Sequence, residues 1–163
     1  MAKKIYIRKK ELTFGLEYNK MSLTEIKSVI NEFADRYDLK ITFVFAVNAA
    51  ISQYTAALVQ LCDNYNSVPP VHDDDLFNQL IQPLPKIGKQ GLVMLRIRLD
   101  ETIADKLAAA ISNFTSVSGQ RLTKTSAVRT AIDIYINKLR LYISRHQKGR
   151  AFNEEKIIRE IAP

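Results

Sequence analysis

One helical pattern occurs twice in this chain. Ala46-Val47-x-x-Ala50-Ile51-x-x-Tyr54-x-x-x-Leu58 returns as Ala127-Val128-x-x-Ala131-Ile132-x-x-Tyr135-x-x-x-Leu139, and a threonine, Thr42 or Thr123, stands four residues before each. The apolar positions fall on one stripe of a 3.6-residue helix, and a threonine just ahead of such a stripe reads as its N-cap. Any two amphipathic helices share this spacing. Six identical residues at matched positions, with a matched cap, go further and point to a duplicated unit, a constraint that precedes any choice of fold.

What precedes each copy supports the duplication. Leu92 to Asp100 alternates from Met94 on, so Leu95, Ile97 and Leu99 share one face of a strand while Met94, Arg96 and Arg98 share the other. Asp100 reads as the cap of a helix with Ile103, Leu107, Ile111 and Phe114 at helical spacing, ending near Ser118-Gly119. After Thr123, Val128, Ile132, Tyr135, Ile136 and Leu139 make the buried stripe of a second helix reaching about Arg145. In the N-terminal copy, Leu12, Phe14, Leu16 and Tyr18 alternate with Thr13, Gly15 and Glu17; Ile5 and Ile7 offer a second register, with Lys4, Tyr6 and Arg8 outward. Ser22-Leu23-Thr24-Glu25 has the form of a capping box, expected to open a helix carrying Ile26, Ile30, Phe33 and Tyr37. Thr42 then caps the helix of Val47, Ile51, Tyr54 and Leu58.

Between the copies, Pro69-Pro70, Asp73-Asp74-Asp75, Pro83 and Pro85 forbid one continuous helix and read as a linker, in which Asp75 to Gln82 has room for two helical turns. The expected organisation is a strand–helix–helix unit at 1–62, a Pro/Asp-rich linker at 63–91, a second unit at 92–146, and a basic tail with a short amphipathic helix at 147–163. The fold class is mostly α with a two-stranded antiparallel β-ribbon.

Charge says where to look for a partner. The 163 residues carry a net +7 at pH 7, which favours a polyanion, nucleic acid ahead of an anionic membrane. The first ten residues hold +5 and residues 120–150 hold +7, while 11–119 carry −4 and the tail from Ala151 carries −1. Two basic blocks thus flank an acidic body.

With these residues in view, the chain resembles the ribbon–helix–helix family of the Arc, MetJ and CopG repressors. Leu95-Arg96-Ile97-Arg98-Leu99-Asp100-Glu101 carries the likeness for the ribbon, and Thr123-Lys124-Thr125-Ser126-Ala127-Val128-Arg129-x-Ala131-Ile132 for the start of the second helix. The likeness is close from Leu92 to about Tyr142 and looser in the N-terminal half. It implies that two strands pair antiparallel and enter the DNA major groove while the N-termini of the second helices hold phosphates. One such unit cannot bury its own apolar face, so a tandem chain is expected to form a pseudo-dimer with itself, similar to the TraY-type relaxosome accessory proteins of conjugative plasmids.

The expected base readers are Met94, Arg96 and Arg98 on the second strand and Thr13 and Glu17 on the first. Arginine bonds guanine O6 and N7 in two-pronged fashion, threonine meets a thymine methyl or a polar edge, and glutamate accepts from cytosine N4. Phosphate contacts are expected from Thr123, Lys124, Thr125 and Ser126, from Lys40 and Thr42, and from a basic arm bearing Lys3, Lys4, Lys9 and Lys10. Arg140, Arg145, Lys148 and Arg150 offer a second basic surface.

Catalysis finds little support. No phosphate-loop glycine spacing occurs, His72 and His146 lack a nucleophile at readable spacing, and Asp73-Asp74-Asp75 reads as a helix start before a metal site. No cofactor and no metal are expected. One cysteine, Cys62, and no long apolar run point to a reducing, cytoplasmic setting. The expected partner is double-stranded DNA, bound as a repressor or as a plasmid or phage DNA-processing factor, with assembly along DNA and a protein partner at the C-terminal helix as further expectations. The rival reading is a protein-interaction module, antitoxin-like or assembly-type, in which only the C-terminal copy dimerises between chains.

Overall fold

The structure is a computed structural model that describes residues 11–83, 91–147 and 154–163. Its elements run β1 (Glu11–Asn19), α1 (Lys20–Arg36), α2 (Phe43–Asn66), α3 (Asp74–Leu80), β2 (Leu92–Asp100), α4 (Glu101–Ser118), α5 (Lys124–Gln147) and α6 (Glu154–Ile161). It is mostly helical, with one two-stranded antiparallel sheet in which β1 pairs with β2 over their whole lengths, from Glu11 opposite Asp100 to Asn19 opposite Leu92.

The two halves keep one spacing. β1 and β2 begin at Glu11 and Leu92, α1 and α4 at Lys20 and Glu101, α2 and α5 at Phe43 and Lys124, an offset of 81 residues each time. The third helices follow the same offset, α3 ending at Leu80 and α6 at Ile161. The stretches read as linker and tail are therefore also related elements. Tyr54 donates its hydroxyl to the Leu80 carbonyl at 2.9 Å and Tyr135 donates to the Ile161 carbonyl at 2.8 Å, so the tyrosine of the repeated pattern secures the short helix in each half. Burial pushes both phenols well above their ordinary pKa, which keeps them protonated as donors. Replacing either tyrosine by phenylalanine strands a buried carbonyl and is expected to cost about 1–2 kcal/mol. Denaturant melts should show similar losses for Tyr54→Phe and Tyr135→Phe; a neutral result at both would mean that the short helices are held by other contacts.

Packing crosses between the halves. α2 lies mainly against α4 and α5, and α1 against α5, whereas α1 touches α2 little and α4 touches α5 little. One apolar core results, with Phe33, Ile51, Leu58, Leu107, Phe114, Val128 and Leu139 fully buried. The expected stripes of α1, α2 and α5 are all buried, while Ile103 and Ile111 of α4 lie half-buried at its edge. α2 is long and apolar enough to cross a membrane by composition, but its stripe from Ala46 to Cys62 lies in this core.

Caps set the helix starts. Thr42 accepts from the Phe45 amide at 3.1 Å, Thr123 from the Ser126 amide at 3.1 Å and Asp100 from the Thr102 amide at 2.9 Å. Gly119 ends α4 at φ 70°, a left-handed conformation that glycine adopts without a Cβ clash. Asp73 caps α3 through the Leu76 amide at 2.9 Å, which gives the acidic run a structural role.

Two expectations need correction, and one open choice is decided. The Ser22–Glu25 box does not open α1: the helix begins at Lys20, directly after β1, as α4 begins directly after β2. Glu25 instead reaches across to pair with Arg140 of α5. Of the two N-terminal registers, the pairing strand is Glu11–Asn19; Lys4, Tyr6 and Arg8 lie outside the described residues. Leu12, assigned to the core face, is 43% exposed, although Leu99 opposite it on β2 is fully buried.

Candidate nucleic-acid interface

Alternation along each strand separates the ribbon into two faces. Leu16, Tyr18, Ile97 and Leu99 are buried against the helices, while Thr13, Gly15 and Glu17 of β1 and Met94, Arg96 and Arg98 of β2 are exposed. The register sets these six in three cross-strand pairs: Thr13 opposite Arg98, Gly15 opposite Arg96, and Glu17 opposite Met94. All five expected base readers thus share one solvent face. Arg96 sits at its middle, with Arg98 about 7 Å further along the strand. A Cβ at Gly15 would come within 3.3 Å of the Met94 sulfur, so the glycine leaves room for that side chain to lie across the ribbon.

The starts of α2 and α5 flank this ribbon. The Lys124 ammonium stands 4.8 Å from the centre of the Phe14 ring, which places the first turn of α5 beside the middle of β1. One turn further into each helix a side chain docks on a strand. Asn48 of α2 donates to the Arg98 carbonyl at 3.1 Å and accepts from the Asp100 amide at 3.0 Å, and Arg129 of α5 donates to the Glu17 carbonyl. Asn48 and Arg129 occupy the same slot of the repeated helix, and Glu17 and Arg98 the same slot of the strands. These two anchors were not singled out from the sequence, although the signal was present as the polar residue following Ala46-Val47 and Ala127-Val128.

Of the expected phosphate ligands, Thr42, Lys40, Thr123 and Thr125 are exposed and Lys124 and Ser126 are half-buried. The Ser126 amide is already taken by Thr123, so the first-turn amides of Lys124 and Thr125 are the ones that α5 geometry leaves for an anion. The two helix starts differ chemically. Where α5 has Lys124-Thr125-Ser126, α2 has Phe43-Val44-Phe45, and the cation there is supplied by Lys27 of α1, 5.6 Å from the centre of the Phe43 ring. Lys27 is a third residue that sequence spacing did not reveal, because it comes from another helix. Lys3 and Lys4 lie outside the described residues, as do Lys9, Lys10, Lys148 and Arg150. Arg140 is held by Glu25 and by Asn137, while Arg145 is exposed near the far end of α5.

Beside the ribbon lies one titratable cluster. Tyr18 donates to Asp133 at 3.4 Å. Burial, and then the neighbouring Asp133 carboxylate, push the Tyr18 phenol far up; burial also raises Asp133, against the pull of Tyr18, Arg129 and Arg140. Cys62 is buried and its thiol is pushed up by burial, which makes it a core side chain and not a reactive one. Among the described residues no group of three or more His, Cys, Asp or Glu is placed to hold a metal. Compared with known proteins, the chain matches no family model, no curated protein and no solved structure.

Proposed function

We propose that this chain is a sequence-specific double-stranded DNA-binding protein that sets the exposed face of the β1–β2 ribbon in the major groove. In this reading the two strand–helix–helix sets act as a ribbon–helix–helix pseudo-dimer within one chain. The carrying observation is the single solvent face bearing Arg96, Arg98, Thr13, Glu17 and Met94, flanked by the starts of α2 and α5. A two-stranded ribbon is narrow enough to enter the major groove, and helix starts on either side meet the phosphates bordering it. The shared offset of the halves and the twin anchors at Asn48 and Arg129 support the pseudo-dimer. The rival, in which β2 pairs between chains, has less support because the pairing edge of β2 is occupied by β1. Repression or a role in plasmid or phage DNA processing is the setting that this chemistry suits.

The test is selection from random duplexes followed by titration over a range of salt. A recovered consensus and a steep salt slope are expected, and Lys124→Ala should flatten that slope by about 1 while leaving the preferred sequence unchanged. Failure to enrich any sequence, with binding that salt alone governs, would sink the reading.

A further inference from the structure

The two halves differ sharply at one paired location. Between α2 and α4 runs an open groove of about 630 Å³, lined by Ser52, Ala56 and Val59 on one side and Ile103, Lys106 and Ala109 on the other. At the corresponding place between α5 and α1, Arg140 stands where the groove has Val59, and Glu25 where it has Lys106, and these two form an ion pair across the helices. The α2–α4 side therefore lacks both the bulk of an arginine and a carboxylate. Lys106 is exposed, and among the described residues no carboxylate pairs with it. An occupant that completed this side would bring apolar bulk and negative charge together.

The turn after α2 carries both. Val68 is 97% exposed and Val71 52% exposed, and the exposed carboxylates of Asp74 and Asp75 stand three and four residues further on. Such apolar exposure on a loose loop would signify little, but this turn is built. The Ser67 hydroxyl lies 2.8 Å from the Asn64 carbonyl and 2.9 Å from the Pro69 carbonyl, and it accepts from the Val71 amide at 3.2 Å. A chain cannot fill its own groove with this turn. Val59 at the near end of the groove and Asn66 at the end of α2 are seven residues of helix apart, roughly 10 Å, and the Ser67 bonds hold the turn beyond that end, where Val68 stays exposed.

We infer that the α2–α4 groove receives the Val68–Asp75 turn of a second copy of this chain, with Val68 and Val71 on the alanine-lined floor and Asp74 or Asp75 against Lys106. Groove and turn are different surfaces, so the contact is head-to-tail and does not close on itself; copies add in a row. The contact is small, well below the roughly 1,000 Å² typical of stable complexes, so association is weak and depends on concentration.

The measurement is sedimentation equilibrium on the full chain without DNA, which keeps this inference separate from the DNA-binding reading. The average mass should rise above 18.6 kDa as the chain is concentrated from about 10 μM to about 1 mM. Val68→Asp, which disables the turn, and Ala109→Trp, which fills the groove, should each remain monomeric; mixed one to one, they should form pairs and stop there, since each supplies the surface the other lacks. Lys106→Glu, a surface change that leaves the core intact, should weaken association about tenfold, and Asp74→Lys with Asp75→Lys in the same chain should restore it. A wild type that stays at 18.6 kDa throughout would overturn the inference. So would an Ala109→Trp chain that self-associates as the wild type does, or a mixture of the two disabled chains that forms no pairs.

Discussion

Replacing Arg96 and Arg98 together by alanine should abolish discrimination between the selected site and random duplex while leaving the fold untouched. Both side chains are exposed on the ribbon, neither contributes to the core, and the strand pairing runs through backbone groups that alanine retains. A well-placed arginine–guanine pair is worth about 1–3 kcal/mol of discrimination, so losing two should weaken specific binding by about 30-fold to 20,000-fold. Residual, sequence-independent binding should persist through Lys124, Lys27 and the helix starts, because phosphate contacts carry no base information. A shift assay with random competitor separates the two components. If the double variant kept full preference for the selected site, the ribbon would not be the reading surface.

Phe114→Ala should produce the largest loss of stability among single changes, and it should do so in both halves at once. Phe114 is fully buried and corresponds to Phe33 in the other half. Truncating a buried phenylalanine costs about 3–5 kcal/mol, a large part of a small protein's total stability. Because α2 packs on α4 and α1 on α5, neither half has a core of its own. Unfolding should therefore remain a single transition, with circular dichroism of the helices and fluorescence of the seven tyrosines shifting together in the variant; the chain has no tryptophan to complicate the second signal. Two separated transitions, with only the C-terminal half weakened, would show that the halves are independent domains.

The sequence by itself determined the local features. The faces of β1 and β2, the caps Thr42, Asp100 and Thr123, the stop at Gly119, and the buried stripes of α1, α2 and α5 were all legible, because each depends on residues within a few positions of one another. The capping box at Ser22 misled for a related reason: a short motif is also met by chance, and a strand leading straight into a helix left it no end to cap. What only the tertiary structure decided was who packs on whom. Gly15 opposite Arg96, α2 against α4, the anchors Asn48 and Arg129, Lys27 over Phe43, and the kinship of α3 with α6 all join residues far apart in the chain. A repeated pattern is compatible with pairing inside one chain or between two. Periodicity reports which face of an element seeks apolar contact and carries no information about which partner supplies it; that choice falls to the packing of the whole core.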